Sequence, residues 1–291
     1  NALYSAAMIS EQLGDSESAI DLYSRFYGGF IEGKDHSRLL ELNSRYLTSP
    51  LKIGNLFSLS GDKASAREWY QKAEELYSGI LSVDGDSMLV KETEFNLLAT
   101  MIQSEKWNEA GKKLEELKDL YGGRRESPSL LYLEAQIELN GFDNPAGASR
   151  LLREIEEDYP DSKDVPGALL ARAGIEFRAG RPDSAAEIYR KLLKEFPGSK
   201  NQAVEAKWML ARIEEKKGNW LEASLHYNSI AKEFPLTPQG LEAPLKIAAH
   251  FEEIGENKAA ENAYRRAREH YRRLADDSYS RGARILAEKY L

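Results

Sequence analysis

One recurring spacing constrains the fold of this chain more than any other feature. Three stretches read GRPDSAAEIYRKLLKEFPGS from Gly180, GNWLEASLHYNSIAKEFPLT from Gly218 and GENKAAENAYRRAREHY from Gly255. Each has a glycine, a small alanine five residues later and a tyrosine nine later, namely Tyr189, Tyr227 and Tyr264. The spacing returns at Gly14, Ala19, Tyr23 and at Gly61, Ala66, Tyr70, and more weakly at Glu105, Ala110, Leu114. A further copy near Gly141 is irregular: NGFDNPAGA reads as carrying two extra residues before Ala148 and Leu152 resume the pattern. Glycines 180, 218 and 255 are 38 and 37 residues apart, whereas 14 and 61 are 47 apart, so the C-terminal half is the regular one. Periods of this length are the signature of stacked repeating units.

Each repeated feature has a mechanical reason. Glycine is expected to end a first helix in the left-handed conformation that other residues resist. An alanine five residues on lets the second helix approach the first closely, where a larger side chain would hold the pair apart. The Tyr or Leu one turn later, on the same helix face, fills the wedge toward the next hairpin. Eight residues beyond it come Pro160, Pro197 and Pro235, each preceded by Tyr or Phe, which stop the second helix for want of a donor. The linkers DSKD, GSKN and LTPQ offer capping residues for the helix that follows.

A strand reading fails. VEAKWMLARIEEKK sets Val204, Trp208, Leu210, Ala211 and Ile213 on a helical period, and no β-branched runs alternate with period two. An ordinary helical bundle would not need the same spacing five times. The expectation is therefore an all-α, right-handed superhelical solenoid of about seven helical hairpins, irregular over residues 1–140 and regular over 141–275. The last stretch, DDSYSRGARILAEKYL, has a helix start at Ser278 or Ser280 and apolar Ile285, Leu286 and Tyr290, and reads as a capping helix over 276–291. Within residues 24–49, FYGGFIEGKDHS is expected to break the helical run.

Net charge is −8, so the long-range field repels nucleic acid and anionic membrane, and no nucleic-acid partner is expected. The local basic run Arg265, Arg266, Arg268, Arg272 and Arg273 is diluted by Glu261 and Glu269 and reads as a solvated helix face. The absence of cysteine removes disulfides, thiolate zinc sites and cysteine nucleophiles together. No run of 18 apolar residues exists, so no membrane span is expected. The chain starts at Asn1 already helix-like, as a processed product or excised fragment would; an export signal, lipid anchor or further domain would lie outside this chain.

Catalytic chemistry finds no foothold, and the chain reads as a non-enzyme without cofactor or metal. His36, His226, His250 and His270 are too far apart for a local metal motif. GDSES and GDKAS lack the strand-turn-helix setting of a nucleophile elbow and are hairpin turns. The pairs Glu115/Glu116, Glu156/Glu157 and Glu214/Glu215 sit in amphipathic helices, where carboxylates are expected to be solvated, and acid-base pairs would need burial.

The small residue, the aromatic one turn later and the proline closing the second helix resemble the tetratricopeptide repeat family over most of the chain. The longer period and the EFP and DYP endings look more specifically like bacterial cell-envelope members, such as the lipoprotein of the outer-membrane β-barrel assembly machine and the periplasmic coordinator of the Tol system. That resemblance implies a non-catalytic scaffold holding a protein or peptide partner, in a periplasmic or outer-membrane-associated setting; a cytoplasmic one is the alternative. A structural subunit of a secretion, pilus or flagellar apparatus, using convex or end surfaces, is the competing role.

In such a stack the first helices of successive repeats line a concave face, the default binding site. Placing helices by the glycines turns Asn55, Gln103, Phe177, Arg178, Trp208, Arg212, Glu215 and Lys216 toward it. Trp208 is the sharpest candidate, because an aromatic in a groove contributes about 2 kcal/mol or more when it enters a partner's pocket. Packing between hairpins is its alternative role, and the expected one for Trp69, Trp107 and Trp220.

Overall fold

The structure, a computed structural model, describes residues 2–31, 44–82, 87–122 and 127–277. All regular secondary structure among the described residues is helical, as seven successive pairs. These are α1 (Ala2–Gln12) with α2 (Ser16–Ile31), α3 (Ser44–Leu59) with α4 (Lys63–Leu81), and α5 (Ser87–Gln103) with α6 (Trp107–Tyr121). Then come α7 (Ser127–Asn140) with α8 (Pro145–Asp158), α9 (Val165–Arg178) with α10 (Pro182–Glu195), α11 (Lys200–Lys216) with α12 (Trp220–Glu233), and α13 (Pro238–Glu253) with α14 (Asn257–Asp277). The all-α hairpin architecture is thus the one expected; of the capping helix expected over 276–291, Asp276 and Asp277 belong to α14 and residues 278–291 lie outside the described residues.

Every pair turns at one left-handed residue. Gly14, Gly61, Gly180, Gly218 and Gly255 have φ between 71° and 86°. At Gly14 the turn closes through Gly14 N–H to Glu11 C=O and Asp15 N–H to Ser10 C=O, and the same two-bond pattern recurs at the other four glycines. This is the Schellman closure, which satisfies carbonyls the helix end would leave orphaned. Glu105 takes the same role at φ 58° without the freedom of glycine.

The copy near Gly141 is corrected by the structure. Asp143, not Gly141, takes the left-handed position, at φ 49°. Counted from Asp143, Ala148 and Leu152 stand at the ordinary five and nine, so there are no extra residues. A short polar side chain tolerates this conformation better than most. The closing bond here, Asn144 N–H to Glu138 C=O at 2.8 Å, spans one residue more than in the other copies. Asn144 Oδ1 then accepts Gly147 N–H and starts α8.

The alanines at +5 are buried in all seven copies, and so are the residues at +9, except Tyr264, which is 40% exposed. A third recurring position emerges at +16: Phe30, Tyr77, Tyr121, Tyr159, Phe196, Phe234 and Tyr271. Two of these brace a weakened helix. Pro50 in α3 and Pro244 in α13 remove a helical donor and loosen the turn before them. Tyr77 donates to the Leu47 carbonyl at 2.6 Å and Tyr271 to the Leu241 carbonyl at 2.7 Å, three residues before each proline.

Two sequence expectations are refined locally. In FYGGFIEGKDHS the first six residues are helical, α2 continuing through Gly28 and Gly29 to Ile31, and EGKDHS lies outside the described residues. Each glycine costs about 1 kcal/mol in a helix. Tyr27 offsets this by stacking on Tyr46 at 4.9 Å and meeting Trp69 edge-on at 5.6 Å. Of the three linkers, only LTPQ caps by side chain, through Thr237 Oγ1 accepting Gly240 N–H at 3.1 Å; Asp164 and Ser199 make no such bond. The prolines act as expected, with α10 and α12 ending two residues before Pro197 and Pro235 and with Phe196 and Phe234 out of the helical conformation, at ψ 57° and 48°.

The chain divides into two compact units, Asn1–Leu151 and Leu152–Leu291. In the first, Tyr4, Tyr23, Ile53 and Leu56 form one core cluster and Tyr27, Tyr46, Tyr77 and Ile80 another. In the second, Val204, Ala211, Ala223, Tyr227, Ile230 and Ala243 fill the space between α11, α12 and α13. No helix among the described residues is long and apolar enough to cross a membrane.

Candidate partner-binding surface

In the second unit the first helices α9, α11 and α13 lie side by side. Six of the residues assigned to the binding face belong here. Trp208 is half-buried, meeting Tyr227 edge-on at 5.2 Å and packing on the α11/α12 core. Arg212, one turn further along the same helix face, is exposed and donates toward Met209 Sδ at 4.0 Å. Lys216 Nζ lies 4.6 Å from the ring centre of Phe177, tying the C-terminal ends of α9 and α11 together. Arg178 at the end of α9 is exposed, and neither it nor Arg212 meets a carboxylate among the described residues.

Glu215 is engaged inside its own hairpin, accepting the Tyr227 hydroxyl at 2.8 Å. The same clasp, twelve residues long, joins Tyr23 to Glu11 at 2.6 Å and Tyr264 to Glu252 at 2.7 Å. Burial first, then the Glu215 carboxylate, push the Tyr227 phenol well above its usual range. A Glu twelve residues before the repeat tyrosine is a signal the sequence carries plainly in three copies. Tyr189, without that Glu, is pushed up to about 12 by burial first and Glu205 next, with Arg178 and Arg212 pulling the other way. The two arginines therefore share one neighbourhood.

Asn55 and Gln103 lie in the first unit. Asn55 Oδ1 accepts the Tyr70 hydroxyl at 3.0 Å, and Tyr70 lies so close to α3 that a side chain at Gly54 would strike its ring. Gln103 ends α5 and is exposed.

Two carboxylates expected in solvent are shielded instead, Glu156 partly and Glu214 fully buried. The Glu156 side chain is 14% exposed, 2.8 Å from Arg172 Nη2 and also paired with Lys191 Nζ. The Arg172 contact is close yet poorly aligned, leaving Glu156 Oε2 and Arg172 Nε without a hydrogen bond. The Glu214 side chain is 9% exposed, accepts Asn219 Nδ2 at 2.9 Å, and has Arg190 and Lys217 each at 3.6 Å. Glu156 is matched by cations from α9 and α10, and Glu214 by Arg190 of α10 and by Lys217 at the end of its own helix, the arrangement that makes burial of a charge tolerable and pins register. Glu115, Glu116 and Glu157 are exposed as expected. Among the described residues no group of three His, Asp or Glu has metal-binding geometry.

Residues 132–200, which hold the copies turning at Asp143 and Gly180, match the family model described as Tetratricopeptide repeat. No curated protein matches the sequence. Among solved structures the chain is similar to a tetratricopeptide repeat protein from Parabacteroides merdae, at 14% identity over 99% of this chain and 97% of that one, TM-score 0.44. It is also similar to YrrB, described as a TPR protein with an unusual peptide-binding site, at 17% identity over 70% of this chain and 95% of that one, TM-score 0.38. Yeast Tom70 is similar at 15% identity over 94% of this chain and 59% of that one, TM-score 0.46.

Proposed function

We propose that the chain is a non-catalytic scaffold that grips a peptide or partner domain along the first helices of its second unit. The observation that carries this reading is the pair Arg178 and Arg212: exposed, on adjacent helices, both near Tyr189, with Arg212 one turn from Trp208, and without carboxylate partners among the described residues. Most cations of α9 to α12 that approach another helix end on a carboxylate, as Lys191 does on Glu156 and Lys207 on Glu233. Arginine beside an aromatic is the combination that contributes most at protein interfaces. The EFP and DYP endings favour a bacterial envelope complex, periplasmic or outer-membrane associated, as the setting. Asn55, Gln103, Phe177, Glu215 and Lys216 border or support the face.

The test is an affinity capture from envelope and cytosolic fractions with the parent chain and with Trp208→Ala/Arg212→Ala, each checked by thermal melting. Loss of one specific partner with retained folding supports the proposed face. Equal recovery by both proteins moves the site to the first unit or to the second helices, and would favour a structural subunit.

A further inference from the structure

The last described hairpin holds a feature that the first-helix face does not use. Between α12 and α14, over α13, lies a groove of about 500 Å³. It exists because α14 turns small residues into it: Ala259, Ala263 and Ala267, spaced one turn apart on a single helix face. Phe251 and Trp220 supply an apolar wall, and Trp220 is held in place by stacking on His250 at 3.6 Å and 15°. Asn228 and Asn262 place amide donors and acceptors along the rim.

The charge beside this groove is unlike that of the rest of the chain. Arg265, Arg266, Arg268, Arg272 and Arg273 are all exposed, and none pairs with a carboxylate among the described residues. Elsewhere cations cross between helices to acidic partners, as Lys52 does to Glu11 and Lys106 to Glu74. Arg266 lines the groove, and Arg273, seven residues on, lies on the same helix face. Glu269 is the acidic residue on that flank. His270, also in the lining, has Nε2 shielded from water with no hydrogen-bond partner. Its imidazole is pushed toward the neutral form by burial first and Arg273 second.

We propose that this groove docks a short acidic segment of another protein, with an apolar side chain seated against Phe251 and Trp220 and carboxylates on Arg266 and Arg273. Charge complementarity selects that occupant: unpaired guanidinium groups are the side chains best suited to hold carboxylates, in paired hydrogen bonds. A short segment ends within the arginine strip. A polyanion as long as nucleic acid would run onto a molecule whose net charge is −8. The site is separate from the first-helix face, and either can fail without the other.

Fluorescence anisotropy tests it on the full chain, with a labelled nonapeptide EEDFEELDE, its amide counterpart QQNFQQLNQ and an oligothymidylate as probes. The acidic peptide is expected to bind, the amide peptide about tenfold more weakly, and Arg266→Glu/Arg273→Glu to weaken the acidic peptide by about the same factor. Filling the groove with Ala263→Trp is expected to abolish binding, while Arg178→Glu/Arg212→Glu leaves it unchanged. Since Arg266 and Arg273 are exposed, their variant should melt like the parent. The proposal is overturned by no binding of the acidic peptide, by equal binding of both peptides, or by tighter binding of the oligothymidylate. It is overturned as well if Ile285→Ser/Leu286→Ser/Tyr290→Ser tightens binding severalfold, which would make the chain's own C-terminal segment the occupant.

Discussion

The two units build the same hairpin with different cross-braces. The first relies on aromatic contacts: Tyr4 against Tyr23 and Phe26 at 5.3 Å each, Tyr27 stacked on Tyr46, and Trp69 edge-on to Tyr27. The second has fewer such contacts, chiefly Trp208 and Trp220 on Tyr227, and adds two shielded carboxylates, Glu156 with Arg172 and Lys191 and Glu214 with Arg190 and Lys217, where the first has Glu94 with Lys113. α10 and α12, with 14 residues each, stop before a proline, whereas α4 runs to 19 residues and α14 to 21. Broad aromatic surfaces pack in many offsets, which suits repeats of uneven spacing. Ion pairs inside a protein need a fixed register, which suits repeats of 37 and 38 residues. The difference teaches that the turn code sets each hairpin, while the bracing follows the evenness of the spacing.

The sharpest way to break this comparison is to attack the close helix contact both units share. Ala19→Arg and Ala223→Arg each force a charge into a site with no exposure and should cost several kcal/mol. Limited proteolysis after thermal melting should place the first new cuts in the unit that carries the substitution. Unchanged melting of either variant would remove the hairpin register as the common element.

Alkaline pH should separate the units next. Burial is the first cause raising the phenols of Tyr23, Tyr27, Tyr46, Tyr70 and Tyr77 in the first unit, and of Tyr189 and Tyr227 in the second. A phenol whose folded pKa is raised stabilises fully below the unfolded value of about 10, and that stability is lost as pH rises above it. The first unit should therefore open at lower pH than the second between about pH 10 and 12. Tyrosinate absorbance together with proteolytic mapping reads the order, and simultaneous opening would argue against distinct bracing.

The smallest effect is a gain. Glu105 holds φ 58° where five other copies hold glycine. Glu105→Gly should stabilise the first unit by about 0.5–1 kcal/mol, whereas Gly218→Ala, with φ 76° and open space around it, should destabilise the second by a similar amount. Paired denaturant melts check both signs.

The sequence was most legible where a residue type has a single mechanical job. Glycine at the turn and alanine at +5 each follow from one local demand, and the structure uses them as read. Asp143 was hidden because a nearby Gly141 offered a more obvious turn residue, although counting back from Ala148 would have found it. The shielding of Glu156 and Glu214 is not legible locally because a carboxylate on an amphipathic helix is ordinarily wet; the tertiary arrival of Arg172, Lys191 and Arg190, beside the local Lys217, makes it tolerable. The groove over α13 is hardest to foresee, since it arises from side chains too small to fill a space. Of the residues assigned to the binding face, Phe177 and Lys216 do meet, and Glu215 serves its own hairpin through Tyr227.

The turn and the aromatic at +16 keep their separation in all seven copies, while the stretch from that aromatic to the next turn varies. Insertions and deletions therefore fall into two kinds. One residue added between Gly218 and Phe234 would rotate every later side chain of α12 by about 100°, carrying Ala223 or Tyr227 away from its contact. One residue added after Phe234 would leave α12 in register and disturb only the local turn, where Thr237 donates to the Phe234 carbonyl through its N–H at 3.1 Å and its hydroxyl at 2.8 Å. The chain can thus lengthen between its hairpins and hold its length within them, a rule for where loops, tags or whole domains can be spliced in.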